Sequence, residues 1–286
     1  MSISSERGSL IFQKTERALR NLSSSQQAEN VHSFRTATRR LQTLLEQLLP
    51  KRDRNQKKVL KSLERIRKRA GKVRDVDVQL AALRSLKIPQ EPRRKTQLMQ
   101  GLIEIRSRHE RRLRKLLTKD AVRDVRKRLA RTAKEVGLEV SRDPLSVARE
   151  ILAGVERPAG PATEEVLHQY RIVVKRARYA AEFAPKSAEA TQFINQLKHL
   201  QDAVGNWHDW FTLTQSAAKR LGDINQSSLV AALHNVTAVK FRHAVAAVSA
   251  PPAVQVSAKA LPAIPEPARK MRTQGPTLVG RTESAA

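Results

Sequence analysis

Apolar residues recur along most of this chain at spacings of three and four, as in helices with one buried face. Arg7 to Leu22 reads as a first amphipathic helix, with Leu10, Ile11, Phe12, Ala18, Leu19 and Leu22 inward. After the polar break over 21–25, Ser25 is placed to cap a second helix that ends at Pro50. That helix turns Phe34, Ala37, Leu41, Leu45 and Leu48 to one side. A third helix, about Arg54 to Ala70, aligns Val59, Leu63, Ile66, Ala70 and Val73, and Gly71 is expected to break it. Asp75 then caps a helix through Leu86, and Ile88-Pro-Gln-Glu-Pro forms a turn. Further helices are expected from about Arg94 to Leu117 and, capped by Asp120, to about Val136.

Residues 141–163 contain Asp-Pro and Arg-Pro-Ala-Gly-Pro and read as a connector. Beyond it, Thr163 caps a helix that ends at Pro185. A helix from about Ala188 to Val204 precedes Gly205, and a last one covers about Leu229 to Val248. No run alternates Val, Ile and Thr as a strand would, so the expected fold is all-α. From Ala250 onward, repeated Pro and sparse bulky residues predict a disordered Pro/Ala-rich tail over 250–286.

The polar side of the second helix is as ordered as its apolar side. At about 100° per residue, His32, Arg35 and Arg39 fall on one stripe, with Arg40 beside it. The pattern returns at His168, Arg171, Lys175 and Arg176, with Arg178 following. Leu63-Glu-Arg-Ile-(x4)-Gly71-Lys-Val-Arg-Asp75 is matched later by Leu197-Lys-His-Leu-(x4)-Gly205-Asn-Trp-His-Asp209. Two landmarks in one order point to an internal repeat. On the third helix Lys61, Arg65, Lys68 and Lys72 form a second basic stripe, and His199, aligned with Arg65, extends it in the second half.

Composition sharpens this picture. Apolar residues make up 40% of the 286 residues and aromatics only 3%, so the core must be aliphatic. The formal net charge of +28 implies a polyanionic partner, or at least tolerance of one: nucleic acid, an anionic membrane surface or a phosphate polymer. That charge is uneven, at +21 over residues 31–140 against +5 over 168–243, so the first half should carry most of the field. There is no Cys, which excludes thiolate catalysis and Cys-ligated metal. No uncharged run is long enough to span a bilayer and no apolar leader opens the chain, so a cytoplasmic protein without a membrane partner is expected.

Guanidinium and ammonium groups aligned without acidic partners suit phosphate oxygens. A rival use of the histidines is metal binding, since Glu29-x-x-His32 and Glu165-x-x-His168 have the spacing of di-iron helical bundles. Arg35 and Arg39, or Arg171 and Lys175, share those faces and would repel a dication, so no metal is expected. Gly71…Asp75 and Gly205…Asp209 read as structural landmarks, and His109, His234 and His243 as ordinary helix residues. The chain has no phosphate-binding glycine loop, Gly-x-Ser-x-Gly elbow or kinase signature, so neither catalysis nor a cofactor is expected.

The His32…Arg40-Leu41 and His168…Arg178-Tyr179 segments, with the two Gly-x-x-x-Asp segments, resemble the CHAD domain, the conserved histidine α-helical domain. The resemblance covers about 6–249. It implies two repeated four-helix bundles, about 6–140 and 163–249, related by a pseudo-two-fold axis. It also implies binding of inorganic polyphosphate in a basic cavity between them, and association with polyphosphate granules. The residues expected there are His32, Arg35, Arg39, Arg40, Lys61, Arg65, Lys68, Lys72, His168, Arg171, Lys175, Arg176, Arg178 and His199. Family members are often fused to a CYTH triphosphate-processing domain. This chain has no Glu-x-Glu-x-Lys signature and reads as a stand-alone binding module. Asn195, Asp202 and Asn206 stand where Lys61, Lys68 and Lys72 stand in the first half, so the first repeat should dominate affinity. Nucleic acid is the rival polyanion and a phosphate-polymer-processing enzyme the rival activity. Four Trp and Tyr residues offer few stacking platforms for single strands.

Overall fold

A computed structural model describes residues 5–49, 53–87, 91–135, 142–155, 162–222 and 224–250, with side chains placed from Gly8. The expected stop at Pro50, most of the turn at 88–90 and the tail beyond Ala250 lie outside these residues. Everything described is helical or connects helices: α1 (Ser5–Ser24), α2 (Ala28–Thr43), α3 (Arg54–Ser85), α4 (Pro92–Arg114), α5 (Lys119–Glu135), α6 (Pro144–Ala153), α7 (Glu164–Ala181), α8 (Ala188–Leu221) and α9 (Ser228–Ser249).

Local chemistry explains most of the helix starts. Side chains of Asp53, Asp143, Thr163, Ser187 and Ser227 each accept a hydrogen bond from the backbone N–H three residues on. Pro92 and Pro144 occupy first turns, where a missing N–H costs nothing. Gly222 ends α8 at φ 88°, and a Cβ there would collide with Gln226 Oε1.

Several expected boundaries are corrected. Ser25 does not cap α2; Gln27 precedes it, and Ser25 Oγ accepts from the Gln27 N–H. Neither Gly71 nor Gly205 breaks a helix, and Asp75 caps nothing: α3 and α8 run 32 and 34 residues straight through these glycines. The apolar stripe resumes beyond each glycine, at Val76, Leu80 and Leu83 and at Leu213, Ala217 and Leu221, and burial there outweighs the roughly 1 kcal/mol helix penalty of glycine. Thr118, not Asp120, stands before α5 and takes the Ala121 N–H. The connector is partly a helix, because Leu145, Val147 and Ala148 of α6 are buried in the core. Leu10, expected inward, is 46% exposed.

Neighbours along the chain pack on one another: α1 on α2, α2 on α3, α3 on α4, then α6 on α7, α7 on α8 and α8 on α9. α5 folds back onto α1 and α3. The two halves meet where α2 touches α7 and α3 touches α8. Two apolar clusters result. The larger joins α1, α2, α5, α6 and α7 to the first parts of α3 and α8, with Trp207 stacked on Phe211 inside it. The smaller joins the second parts of α3 and α8 to α4 and α9. The two long helices therefore thread both clusters.

Candidate functional site

Where α2, α3, α7 and α8 meet, they enclose a cavity of about 530 Å³, with α4 closing one side. Each helix supplies charge. His32, Arg35 and Arg39 come from α2, Lys72, Arg74 and Asp75 from α3, and His109 from α4. Arg171, Lys175, Arg176 and Tyr179 come from α7, and His208 and Asp209 from α8. Val76, Leu102 and Ile105 form an apolar part of the wall.

α2 reaches the cavity because Val31, Phe34, Thr38 and Leu41 are buried on its other side. Past Thr43 the helix widens to a π turn over Leu44–Leu48, which keeps Leu44, Leu45 and Leu48 buried while Glu46 and Gln47 face the cavity. α2 is tied to α7 by Glu182. Its carboxylate accepts from Arg40 Nε at 2.7 Å and lies 3.5 Å from Arg178 Nη1. The Tyr179 ring lies within cation–π reach of the same two guanidinium groups, at 5.9 and 5.5 Å. This clamp fixes Tyr179 at the cavity wall.

The cations inside the cavity are arranged differently. Among the described residues, no carboxylate comes within salt-bridge distance of Arg35, Arg39, Arg171, Lys175 or Arg176, nor of Arg67, which lies behind the lining on α3. The Nε atoms of Arg67 and Arg171 are buried without a hydrogen-bond partner. Such crowding has a cost that shows in their acidity. Burial, then the Arg171 cation, pushes the Lys175 ammonium down to about 8, although Asp209 opposes the shift. Burial, then Arg39, pushes Arg67 down to about 10. Arg35 and Arg39 are lowered as well, chiefly by burial, with Asp75 and Tyr179 respectively the strongest opposing influences. Burial and then Arg74 hold His32 below the ordinary imidazole value. An entering anion would offset these penalties for the cations that line the cavity.

Gly71 has a specific place in this geometry. A Cβ on it would run into Nη1 of Arg35, so the bare backbone lets that guanidinium lie against α3. Gly205 also lines the cavity, but nothing lies within 4 Å of where its Cβ would be.

Of the residues expected from the sequence, His32, Arg35, Arg39, Lys72, Arg171, Lys175 and Arg176 line the cavity together. Arg40 and Arg178 do not; they are held by Glu182. Lys61, Arg65, Lys68 and His199 are exposed and stand outside it. His168 is also exposed and outside the lining, its ring 5.5 Å from that of His208. Arg74, Tyr179 and His208 also line it without belonging to the expected set, as does His109, read from the sequence as an ordinary helix residue; Arg67 is buried on α3 behind them. On α3 the expected stripe lies opposite the apolar face, whereas Arg67, Gly71, Arg74 and Val78 occupy a flank about 100° from both. The signals for them were Gly71 itself, which marks a close approach, and the matched positions of Arg74 and His208 before Asp75 and Asp209. The Glu-x-x-His pairs are occupied locally: Glu29 accepts from Ser33 Oγ, and Glu165 is hydrogen-bonded by Thr163. Among the described residues, no three His, Asp or Glu side chains converge as a metal site would require.

The CHAD domain family model matches residues 10–218, which contain every cavity residue named above. No curated protein matches the chain. The fold is similar to the crystal structure of the CHAD domain from the plant Ricinus communis, with a TM-score of 0.58 and 18% identity over 85% of this chain and 89% of that one. It is also similar to PptA from Streptomyces chartreusis, with a TM-score of 0.60 and 16% identity over 86% of this chain and 96% of that one. With the family model spanning most of the helical region and the same fold in these structures, the chain belongs to the CHAD domain family.

Proposed function

We propose that this chain binds inorganic polyphosphate in the cavity between α2, α3, α7 and α8, without a catalytic step and without a cofactor. The observation that carries the reading is the group of cations with no acidic partner around this cavity, Arg35, Arg171 and Lys175 half-buried and Arg39 and Arg176 exposed. A linear polyphosphate offers a negative charge at every unit and no base or sugar that needs recognition. Guanidinium forks and the Lys175 ammonium suit its oxygens. A base-paired duplex is too thick for a cavity of about 530 Å³. The three carboxylates that line it, Glu46, Asp75 and Asp209, are outnumbered by seven Lys and Arg, so the lining favours an anion over a divalent cation. No described helix is long and apolar enough to cross a membrane. Residence at polyphosphate granules in the cytoplasm goes with this reading and is proposed with it.

The test is a titration of the chain with polyphosphate at fixed ionic strength, repeated with duplex DNA as competitor. Tight binding that DNA fails to displace is the expected result. Preferential displacement by DNA would move the assignment to nucleic acid. Shortening of the polymer on incubation with Mg²⁺ would make the protein an enzyme.

A further inference from the structure

The basic stripe on α3 that stays out of the cavity still needs an account. Lys61, Arg65 and Lys68 are exposed, and the stripe continues into Lys72, which lines the cavity. Eleven residues of helix separate Lys61 from Lys72, about 16 Å along the axis. Across from its inner end stand two cations of α4. Arg106 Nε donates to Asp77 Oδ1 at 2.7 Å and Lys95 Nζ to the Leu86 carbonyl at 2.5 Å, which sets α4 antiparallel to α3, and His109 is acidified by burial, then by Arg112, Lys72 and Arg108. Arg108 and Arg112 therefore lie near His109 and Lys72 at the cavity rim, and both are exposed.

Exposed cations are usually a solvated face, and elsewhere on this molecule many are neutralised. Arg123 pairs with Asp120, Arg128 with Asp124, Arg126 with Glu16, Arg142 with Glu150 and Arg149 with Glu189. Along the α3–α4 ridge only Lys68 has a partner, Glu64 at 3.0 Å. Among the described residues the other five cations have no carboxylate within salt-bridge distance. Lys72 joins this largely uncompensated ridge to the cavity.

We infer that the ridge of Lys61, Arg65, Lys68, Lys72, Arg108 and Arg112 is an outer track for the part of a phosphate polymer that overhangs the cavity. This rests on the polyphosphate reading of the cavity. A short oligophosphate is held by the cavity alone. A long one leaves past Lys72, which is exposed at the cavity rim, and runs along α3 toward Lys61, so affinity grows with chain length through counterion release along the track.

The experiment compares tripolyphosphate with long-chain polyphosphate on the full chain, at several salt concentrations. The variants are Lys61→Gln/Arg65→Gln/Arg112→Gln and, for the cavity, Arg35→Ala/Arg39→Ala. All three ridge side chains are exposed, and an unchanged melting temperature checks that the fold is kept. The ridge variant is expected to bind long chains about tenfold more weakly, as three exposed contacts imply. Its log–log salt slope should fall by about two. Its affinity for tripolyphosphate stays at the wild-type value. The cavity variant loses both ligands. Equal loss of both chain lengths in the ridge variant, or loss of neither, overturns the track. Weakened binding of duplex DNA with long polyphosphate unaffected overturns it in favour of a nucleic-acid surface. If the wild-type chain binds neither polyphosphate, the cavity reading itself fails.

Discussion

The guanidinium of Arg35 lies against the backbone of Gly71, so closely that a Cβ there would collide with its Nη1. α2 and α3 thereby place a cation that neither positions alone. The matching glycine on α8, Gly205, faces open space. Two residues that look equivalent in the sequence thus differ in consequence.

Gly71→Ala and Gly205→Ala separate the two roles. Both substitutions remove a mid-helix glycine, worth about 0.5–1 kcal/mol in helix stability. Gly205→Ala should show that gain as a higher melting temperature. Gly71→Ala should not, because the new methyl must displace Arg35, and its polyphosphate affinity should fall severalfold. Equal melting temperatures and equal affinities in the two variants would show that Arg35 is not held by Gly71.

Lys175 is a half-buried ammonium among Arg171, Arg35 and Arg39, pushed down to about 8 from its ordinary 10.5. Below pH 8 the folded protein carries the whole penalty of keeping it charged. The penalty fades as pH rises toward 10.5, where the unfolded chain also loses the proton. Lys175→Met should therefore stabilise the ligand-free protein at pH 7 by on the order of 1–2 kcal/mol, a figure reduced from the full shift because protein and water relax around a desolvated charge. The gain should shrink between pH 8 and 10.5, and polyphosphate binding should weaken. A variant less stable than wild type at pH 7 would mean that Lys175 is compensated in the free protein.

How much of this could be read from the chain depends on what each pattern reports. Helix number and faces follow from apolar spacing, because burial sets that spacing. The expected breaks at Gly71 and Gly205 do not occur: propensity is local, while the continuity of α3 and α8 comes from two apolar clusters that both helices thread. The α2 stripe points straight into the cavity, since the helix has one apolar side and the site opposite it. α3 is packed on more than one side, so its cavity face is a flank, and Arg67 and Arg74 do not stand out by periodicity. Arg40 and Arg178 carry the right spacing but are claimed by Glu182, a contact across 142 residues for Arg40 that no local pattern reveals.

Binding should take up protons. Neighbouring cations lower both His32, beside Arg74, and Lys175, beside Arg171, on top of burial, and a polyanion reverses that influence. With bound values above the free ones, affinity is highest at low pH. It falls as pH rises through the histidine range, and falls again above about 8 as Lys175 loses its proton in the free protein. Calorimetry in buffers of different ionisation enthalpy measures this directly. No proton uptake at pH 8 would take Lys175 out of contact with the ligand.

The central claim is that uncompensated cations in the cavity hold the polymer, rather than the net charge of +28 as a whole. Its most direct measurement is the polyphosphate affinity of Arg35→Ala/Arg39→Ala beside that of Arg123→Ala/Arg128→Ala, a pair equal in charge removed but exposed or half-exposed on α5 and already paired with Asp120 and Asp124. The cavity pair should cost at least about a hundredfold in affinity, as two charge-assisted contacts in a partly desolvated site imply. The α5 pair should change it by less than about threefold, as screened surface pairs do. Equal losses in the two variants would contradict the account, because the polymer would then be responding to overall charge and not to this site.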